Sequence, residues 1–295
     1  MKLGLSHSLF VLCFLLGCGQ NPQTTDSIAK ADEHPSPSAP AEKKTSPTQL
    51  KIATYNILWR NLDLPALVET IRKADADLVC LQETTKDAEE YIAKNLGEAY
   101  PQIRFHGHRG KHLAERFGFL SRLPIDKFEF VPPSEGMFGF FTAEIQFDGR
   151  PVQVATVHLH PVIMSNNAGY REFFAALKAT EKTHAGEVAA LVKHLKKDVP
   201  TLVIGDFNSV TAFQTPKIMA AHGFVDSFAE TRDNPEAFPT WRGPMKNGEV
   251  EFRIDYLFHS PDFRAVETGM VKSNASDHSL IHARLQWVEK PAKSK

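Results

Sequence analysis

The apolar run Thr201-Leu202-Val203-Ile204 stops at Gly205-Asp206-Phe207-Asn208, so a buried strand delivers an aspartate and an asparagine at its end. The pattern recurs. Asn56 follows Ile52-Ala53-Thr54-Tyr55, Glu83 comes just after Leu78-Val79-Cys80-Leu81, and His158 follows Val152-Gln153-Val154-Ala155-Thr156-Val157. Asp255 lies within Arg253-Ile254-Asp255-Tyr256-Leu257-Phe258, and Asp277-His278 precedes Leu280-Ile281. α/β folds keep their sites at strand ends. Short apolar strands that each deliver one carboxylate, amide or imidazole therefore imply one site where those ends converge.

The strands read as 50–57, 77–82, 117–121, 128–131, 142–147, 152–158, 201–205, 254–259 and 280–287, with Asp148-Gly149 turning between two of them. Asp63 and Thr85 are N-caps for helices, and a third helix begins near Thr183 with Val188, Leu191, Val192 and Leu195 at helical spacing. Thr215-Pro216 opens a fourth helix and Gly223 stops it. Strict βα alternation is absent, which argues against a barrel or a simple doubly wound sheet. Dominant strands with irregular helices predict an α+β fold, two mixed sheets packed face to face with helices outside.

The chain is 42% apolar, enough for a substantial core, and its net charge is −1. Within residues 1–48 four lysines cancel four carboxylates, so the remainder is also near neutral and projects no basic field toward nucleic acid. Three cysteines build no disulfide framework. Cys80 reads as a small core residue.

The N-terminus reads as a leader. Residues 9–16 form an apolar run too short to span a bilayer. Leu15-Leu16-Gly17-Cys18 then resembles the lipobox of bacterial lipoproteins, which implies a signal peptide over 1–17 and lipidation of Cys18. Residues 18–48 are Pro, Ser, Thr, Ala, Lys and Glu with little apolar mass, a disordered tether. The folded domain is expected over 49–290, with a tail at 291–295. The resemblance implies an extracytoplasmic protein anchored to the cell envelope, at the outer membrane where one exists, and a monomer is expected.

Taken in order, Asn56 in Thr-Tyr-Asn, Glu83 in Leu-Gln-Glu, His158 in Val-His-Leu, Gly205-Asp206-Phe207-Asn208, Arg253-Ile254-Asp255-Tyr256 and Ser276-Asp277-His278 resemble the endonuclease/exonuclease/phosphatase superfamily. Each motif alone is weak, and the ordered set is strong. The resemblance covers about residues 50–287. It implies a deoxyribonuclease I-like four-layer α/β/β/α sandwich and a hydrolase acting on phosphoric esters. It also implies Mg²⁺, with Mn²⁺ as substitute, held principally by Glu83, supported by Asn56, with a contribution from Asp277. One glutamate beside an amide suits magnesium better than zinc, which prefers His and Cys.

The same resemblance assigns Asp206 to orient or deprotonate the attacking water and Asn208 to donate to the phosphoryl oxygen. Asp255 would orient His278; the other reading of Asp255 is a salt bridge to Arg253. His158 is a second candidate acid, and His160 a wall residue outside the pattern. Arg122 reads as part of a structural turn and Trp241 as packing. The basic stretch His106–Arg116 is either a solvated loop or a phosphate contact. Ala155-Thr156-Val157-His158 departs from the repair-type members and, with the leader, disfavours an abasic-site role. Expected substrates are nucleic acid, or else phospholipid, sphingomyelin or inositol phosphate. A non-catalytic surface binding module is the reading from a different class.

Overall fold

Along β1 (Gln49–Asn56), Leu50 and Ile52 face one side and Ala53 and Tyr55 the other, and all four are fully buried. A strand apolar on both faces must be covered on both. The computed structural model describes residues 48–107, 113–163, 169–246 and 248–289. After β1 come α1 (Leu64–Ala74), β2 (Leu78–Gln82), α2 (Lys86–Leu96), β3 (Gln102–Gly107), β4 (Arg116–Ser121), β5 (Ile125–Val131), β6 (Phe140–Phe147) and β7 (Arg150–His158). The chain continues through α3 (Tyr170–His194), β8 (Thr201–Asp206), α4 (Gln214–Ala221), β9 (Val225–Asp226) and α5 (Ser227–Thr231). It ends with β10 (Trp241–Met245), β11 (Gly248–Phe252), β12 (Asp255–His259), β13 (Phe263–Val271) and β14 (Leu280–Trp287).

Two six-stranded sheets form, in the orders β13-β14-β1-β2-β4-β3 and β5-β6-β7-β8-β12-β9, while β10 and β11 make a separate hairpin. The central core lies between the sheets and includes Ile52, Cys80, Phe119, Val154, Ile204 and Leu257. Leu67 and Ile71 of α1 and Ile92 and Leu96 of α2 cover the outer face of the first sheet. Val188 and Leu191 of α3 and Met219 of α4 cover the second. The expected four-layer sandwich is what forms.

Each sheet has one parallel pair at its centre, β1–β2 and β7–β8. Parallel neighbours need a crossover, and α1 and α3 supply them. Register then brings the strand ends together. Asn56 pairs with Gln82, immediately before Glu83, and His158 pairs with Asp206. Strand β12 runs antiparallel to β8, so its first residue, Asp255, lies opposite Asp206.

Asp63 and Thr85 cap α1 and α2 through side chains that accept from Ala66 N and Ala88 N. Asp148 and Gly149 both take positive φ, 52° and 71°, as a tight hairpin turn requires. Arg122 pairs with Asp75 at 2.6 Å and lies over the Tyr100 ring, a structural role. Two expectations need correction. The third helix starts at Tyr170, well before Thr183, and strands β3, β9, β10, β11 and β13 and helix α5 are additions to the expected elements. Cys18, the leader, the tether up to residue 47, residues 108–112 of the basic stretch and the tail lie outside the described residues. Among those described, no helix is long and apolar enough to cross a membrane.

Candidate active site

Where the central strands end, six polar side chains from both sheets meet in one buried cluster. Asn56 is the hinge. Its Nδ2 donates to Glu83 Oε1 and to Asp206 Oδ2, both at 3.0 Å, so one amide ties the two sheets together. Its Oδ1 accepts from Leu58 N at 3.0 Å, which fixes the amide's orientation. Ser276 Oγ donates to the Asn56 carbonyl and accepts from His278 N, binding the β13–β14 connection to the same point.

Glu83 accepts from Trp59 N through Oε2. The turns that aim these groups use left-handed backbone at Leu58, Glu83 and Asn208, with φ of 60°, 59° and 47°. Such conformations cost of order 1–3 kcal/mol each in non-glycine residues and concentrate at functional sites. Gly205 is different. Its φ is +147°, and any Cβ there would lie 2.0 Å from the Val157 carbonyl oxygen of the neighbouring strand. Only glycine lets β8 approach β7 at the step before Asp206.

Asp206 is the centre of the cluster. Its Oδ1 accepts from Asn208 N at 2.8 Å, and its Oδ2 lies 3.6 Å from both His158 Nε2 and His278 Nε2. At that separation neither imidazole is hydrogen-bonded to it. Burial pushes the Asp206 and Glu83 carboxyls above their ordinary range. Asp255 Oδ2 sits 2.9 Å from His278 Nδ1. Burial works against an imidazolium at His278, but the Asp255 and Asp206 carboxylates outweigh it and hold the ring up at about 10. His158, stacked on Phe138 with ring centroids 4.1 Å apart, goes the other way: burial pushes it down to about 4 despite the attraction of Asp206. The two histidines are therefore pushed in opposite directions, His278 toward the imidazolium and His158 toward the neutral ring.

The alternative partner for Asp255 is excluded by geometry. Arg253 bonds Asp226 at 2.7 Å, Glu236 at 3.1 Å and Thr211 at 2.9 Å instead. Asp277 and Asn208 stand at the edge of the cluster and line the cavity above it. Asn208 Nδ2 donates to the Leu159 carbonyl at 3.0 Å, which leaves one amide hydrogen for any other acceptor. Asp277 Oδ2 accepts from Trp241 Nε1 at 3.2 Å, so Trp241 both packs and orients a carboxylate.

A family model for the endonuclease/exonuclease/phosphatase family matches residues 53–278, the span that holds every one of these groups. The chain belongs to the endonuclease/exonuclease/phosphatase family. It is a hydrolase of that superfamily. No curated protein matches the chain. Solved structures share the fold at low identity. An endonuclease/exonuclease/phosphatase from Beutenbergia cavernae DSM 12333 is 21% identical, with a TM-score of 0.60 over 84% of this chain and 74% of that one. TDP2 from C. elegans is 16% identical, with a TM-score of 0.61 over 81% and 75%. A family protein from Bacteroides thetaiotaomicron is 17% identical, with a TM-score of 0.56 over 83% and 100%.

A cation site in this family member can be tested against its donors. Asp206, Asp255 and His278 bring ligand atoms within 4.8 Å of one another. Two of that group's ligand atoms, His278 Nδ1 and Asp255 Oδ2, are already bonded to each other at 2.9 Å. Glu83 and Asp277 fit better: both line the cavity, and Glu83 is a largely buried carboxylate whose proton affinity is raised. Asn56 presents its NH₂ to Glu83, so it supports that carboxylate rather than offering its own oxygen.

Sequence reading missed a clamp on α3. Glu181 accepts from Ser209 Oγ at 2.7 Å and Gln214 N at 2.6 Å. His184 Nε2 lies 2.7 Å from the His160 carbonyl, and Glu187 accepts from His160 N through both oxygens. The clamp grips the segments just beyond His158 and Asn208. His160, read as a wall residue, is held here by its backbone. The available signal was Glu181, His184 and Glu187 at intervals of three on one helical face.

Proposed function

We propose that the protein is a Mg²⁺-dependent phosphoesterase that hydrolyses phosphodiesters by in-line attack of water. The observation that carries this reading is the buried cluster of Asn56, Glu83, His158, Asp206, Asp255 and His278 at the foot of one cavity. Its donor and acceptor roles are complementary. Asp206 is anchored by Asn208 N and Asn56 Nδ2, and its raised proton affinity suits a group that orients water and takes its proton. With Asp255 on Nδ1 favouring the imidazolium, His278 directs a second N–H, at Nε2, toward a phosphoryl or leaving oxygen. His158 faces the same point in its neutral form. Asn208 has one remaining amide hydrogen for developing charge. A divalent cation held by Glu83 with Asp277 would act as a Lewis acid on a non-bridging or leaving oxygen.

The test is p-nitrophenolate release from bis(p-nitrophenyl) phosphate. Activity is expected with Mg²⁺ or Mn²⁺ and is expected to vanish in EDTA. Glu83→Gln should raise the Mg²⁺ needed for half activity and lower the maximum rate. Unchanged metal dependence in that variant would remove Glu83 from the metal site. No turnover at all would favour a non-catalytic binding module.

We further propose an envelope location, with the mature chain beginning at lipid-bearing Cys18. Leu15-Leu16-Gly17-Cys18 after an apolar run supports it. Cys18→Ser should block processing or release the protein from the membrane fraction. Normal processing and retention of that variant would overturn the anchor.

A further inference from the structure

We infer that the active site selects a mixed phosphodiester, one ester arm apolar and the other polar and hydroxyl-bearing; this rests on the phosphoesterase reading above. The site opens into two cavities that share Trp241, Asp277 and His278. A phosphorus atom within reach of His278 therefore stands between them, and its two ester arms have one cavity each.

The cavities differ in chemistry. The larger, about 330 Å³, is lined by Leu58, Val162, Phe173, Leu177, Phe252 and Ile254 in addition to the groups of the catalytic cluster. Trp59, 39% exposed, stands at this cavity's edge. An aromatic or alkyl arm buries apolar surface there, and the Arg60 guanidinium, which also lines this cavity, suits the face of an aromatic arm. The smaller, about 260 Å³, is lined by Arg242, Glu251, Lys272, Ser273 and Asn274 beside Thr240 and Ser279. Arg242 and Glu251 are cross-strand neighbours on β10 and β11, and with Lys272 they give this cavity both charge signs. Mixed donors and acceptors with little net charge suit a sugar-like or polyol arm better than a second anion.

Trp241 is the partition, and it is held firmly. Its indole N–H donates to Asp277, and its ring lies nearly parallel to Phe173 and Phe252, at interplanar angles of 8° and 13°. Its far edge lies over Gly243, where a Cβ would come within 2.2 Å of the ring. Any side chain at 243 must push the indole aside.

Three p-nitrophenyl esters with one leaving group test the inference: bis(p-nitrophenyl) phosphate, thymidine 5′-(p-nitrophenyl) phosphate and p-nitrophenyl phosphate. The thymidine diester is expected to have kcat/KM about tenfold above the bis ester, the size of one or two hydrogen bonds. The bis ester is intrinsically the more reactive diester, so such a preference belongs to the protein. The monoester, lacking a second arm, should be the poorest. Arg242→Ala/Asn274→Ala should bring the thymidine-to-bis ratio down toward one. Gly243→Ala should shrink the same ratio by moving the partition. Trp59→Ala should raise KM for both diesters. Hydrolysis of all three esters with no thymidine preference, or a preference that survives both the double variant and Gly243→Ala, overturns the two-armed selection and leaves the phosphoesterase reading intact. Hydrolysis of none overturns that reading itself.

Discussion

At the scale of single residues, the chemistry turns on how one imidazole is held. Asp255 bonds His278 Nδ1 at 2.9 Å while Arg253 bonds Asp226, Glu236 and Thr211 through Nε and Nη2. Two residues that act as one unit give non-additive losses. His278→Ala is expected to lower kcat about 10²–10⁴-fold, the usual range for a positioned acid or base. Asp255→Asn should do comparable harm with the fold intact, and the double variant should be little worse than His278→Ala. Measuring kcat and Tm for the three variants decides it; additive losses in kcat would end the dyad. The sequence made these residues legible because each carries chemistry at a strand end. It did not show which nitrogen or oxygen faces which neighbour. The turned amide of Asn56, with NH₂ rather than oxygen toward Glu83, and the indole of Trp241 on Asp277 depend on contacts 27 and 36 positions apart.

At the scale of elements, the legible parts were those whose buried face is apolar. The strands β1, β2, β7 and β8 announce themselves by short, apolar-rich runs, and Asp63 and Thr85 mark their helices by capping. The first half of α3 was hidden for a physical reason. Its buried face carries Glu181, His184 and Glu187 among Phe173, Leu177 and Val188, so the apolar period breaks where the clamp forms. Its N-cap, Gly169, has no side chain to signal a start. Strand β13 alternates Arg264 and Glu267 with buried positions at a sheet edge and likewise lacks an apolar run. The clamp also titrates. Burial pushes the Glu187 carboxyl up from 4.5 to about 7; the His160 N–H and His184 oppose this and Glu135 adds to it. A group that holds its proton more tightly when folded contributes stability below pH 4.5 and loses it as pH rises through 7. Glu187→Gln cannot titrate, so between pH 5 and 8 the variant should gain on the wild type, by at most about 3 kcal/mol. Denaturant melts across that range check it. A constant offset would show that this carboxyl does not titrate on unfolding.

At the scale of the whole molecule, two sheets are pressed together so that their parallel centres end at one place, and the site is where those ends meet. The family motifs announced this arrangement because each sits at a strand end. The walls that receive a substrate were not legible. They come from the segments after β1 and β7 and from the β10–β11 hairpin, where no periodic pattern marks burial. The central claim is that water held at Asp206 attacks phosphorus. Its most direct test is hydrolysis of bis(p-nitrophenyl) phosphate in heavy-oxygen water, with rate and label position read for the wild type and Asp206→Asn. The account predicts the label in the phosphate product, none in p-nitrophenol, and a rate about 10²–10⁴-fold lower in the variant. Label in p-nitrophenol, or an Asp206→Asn enzyme as fast as the wild type, would contradict it.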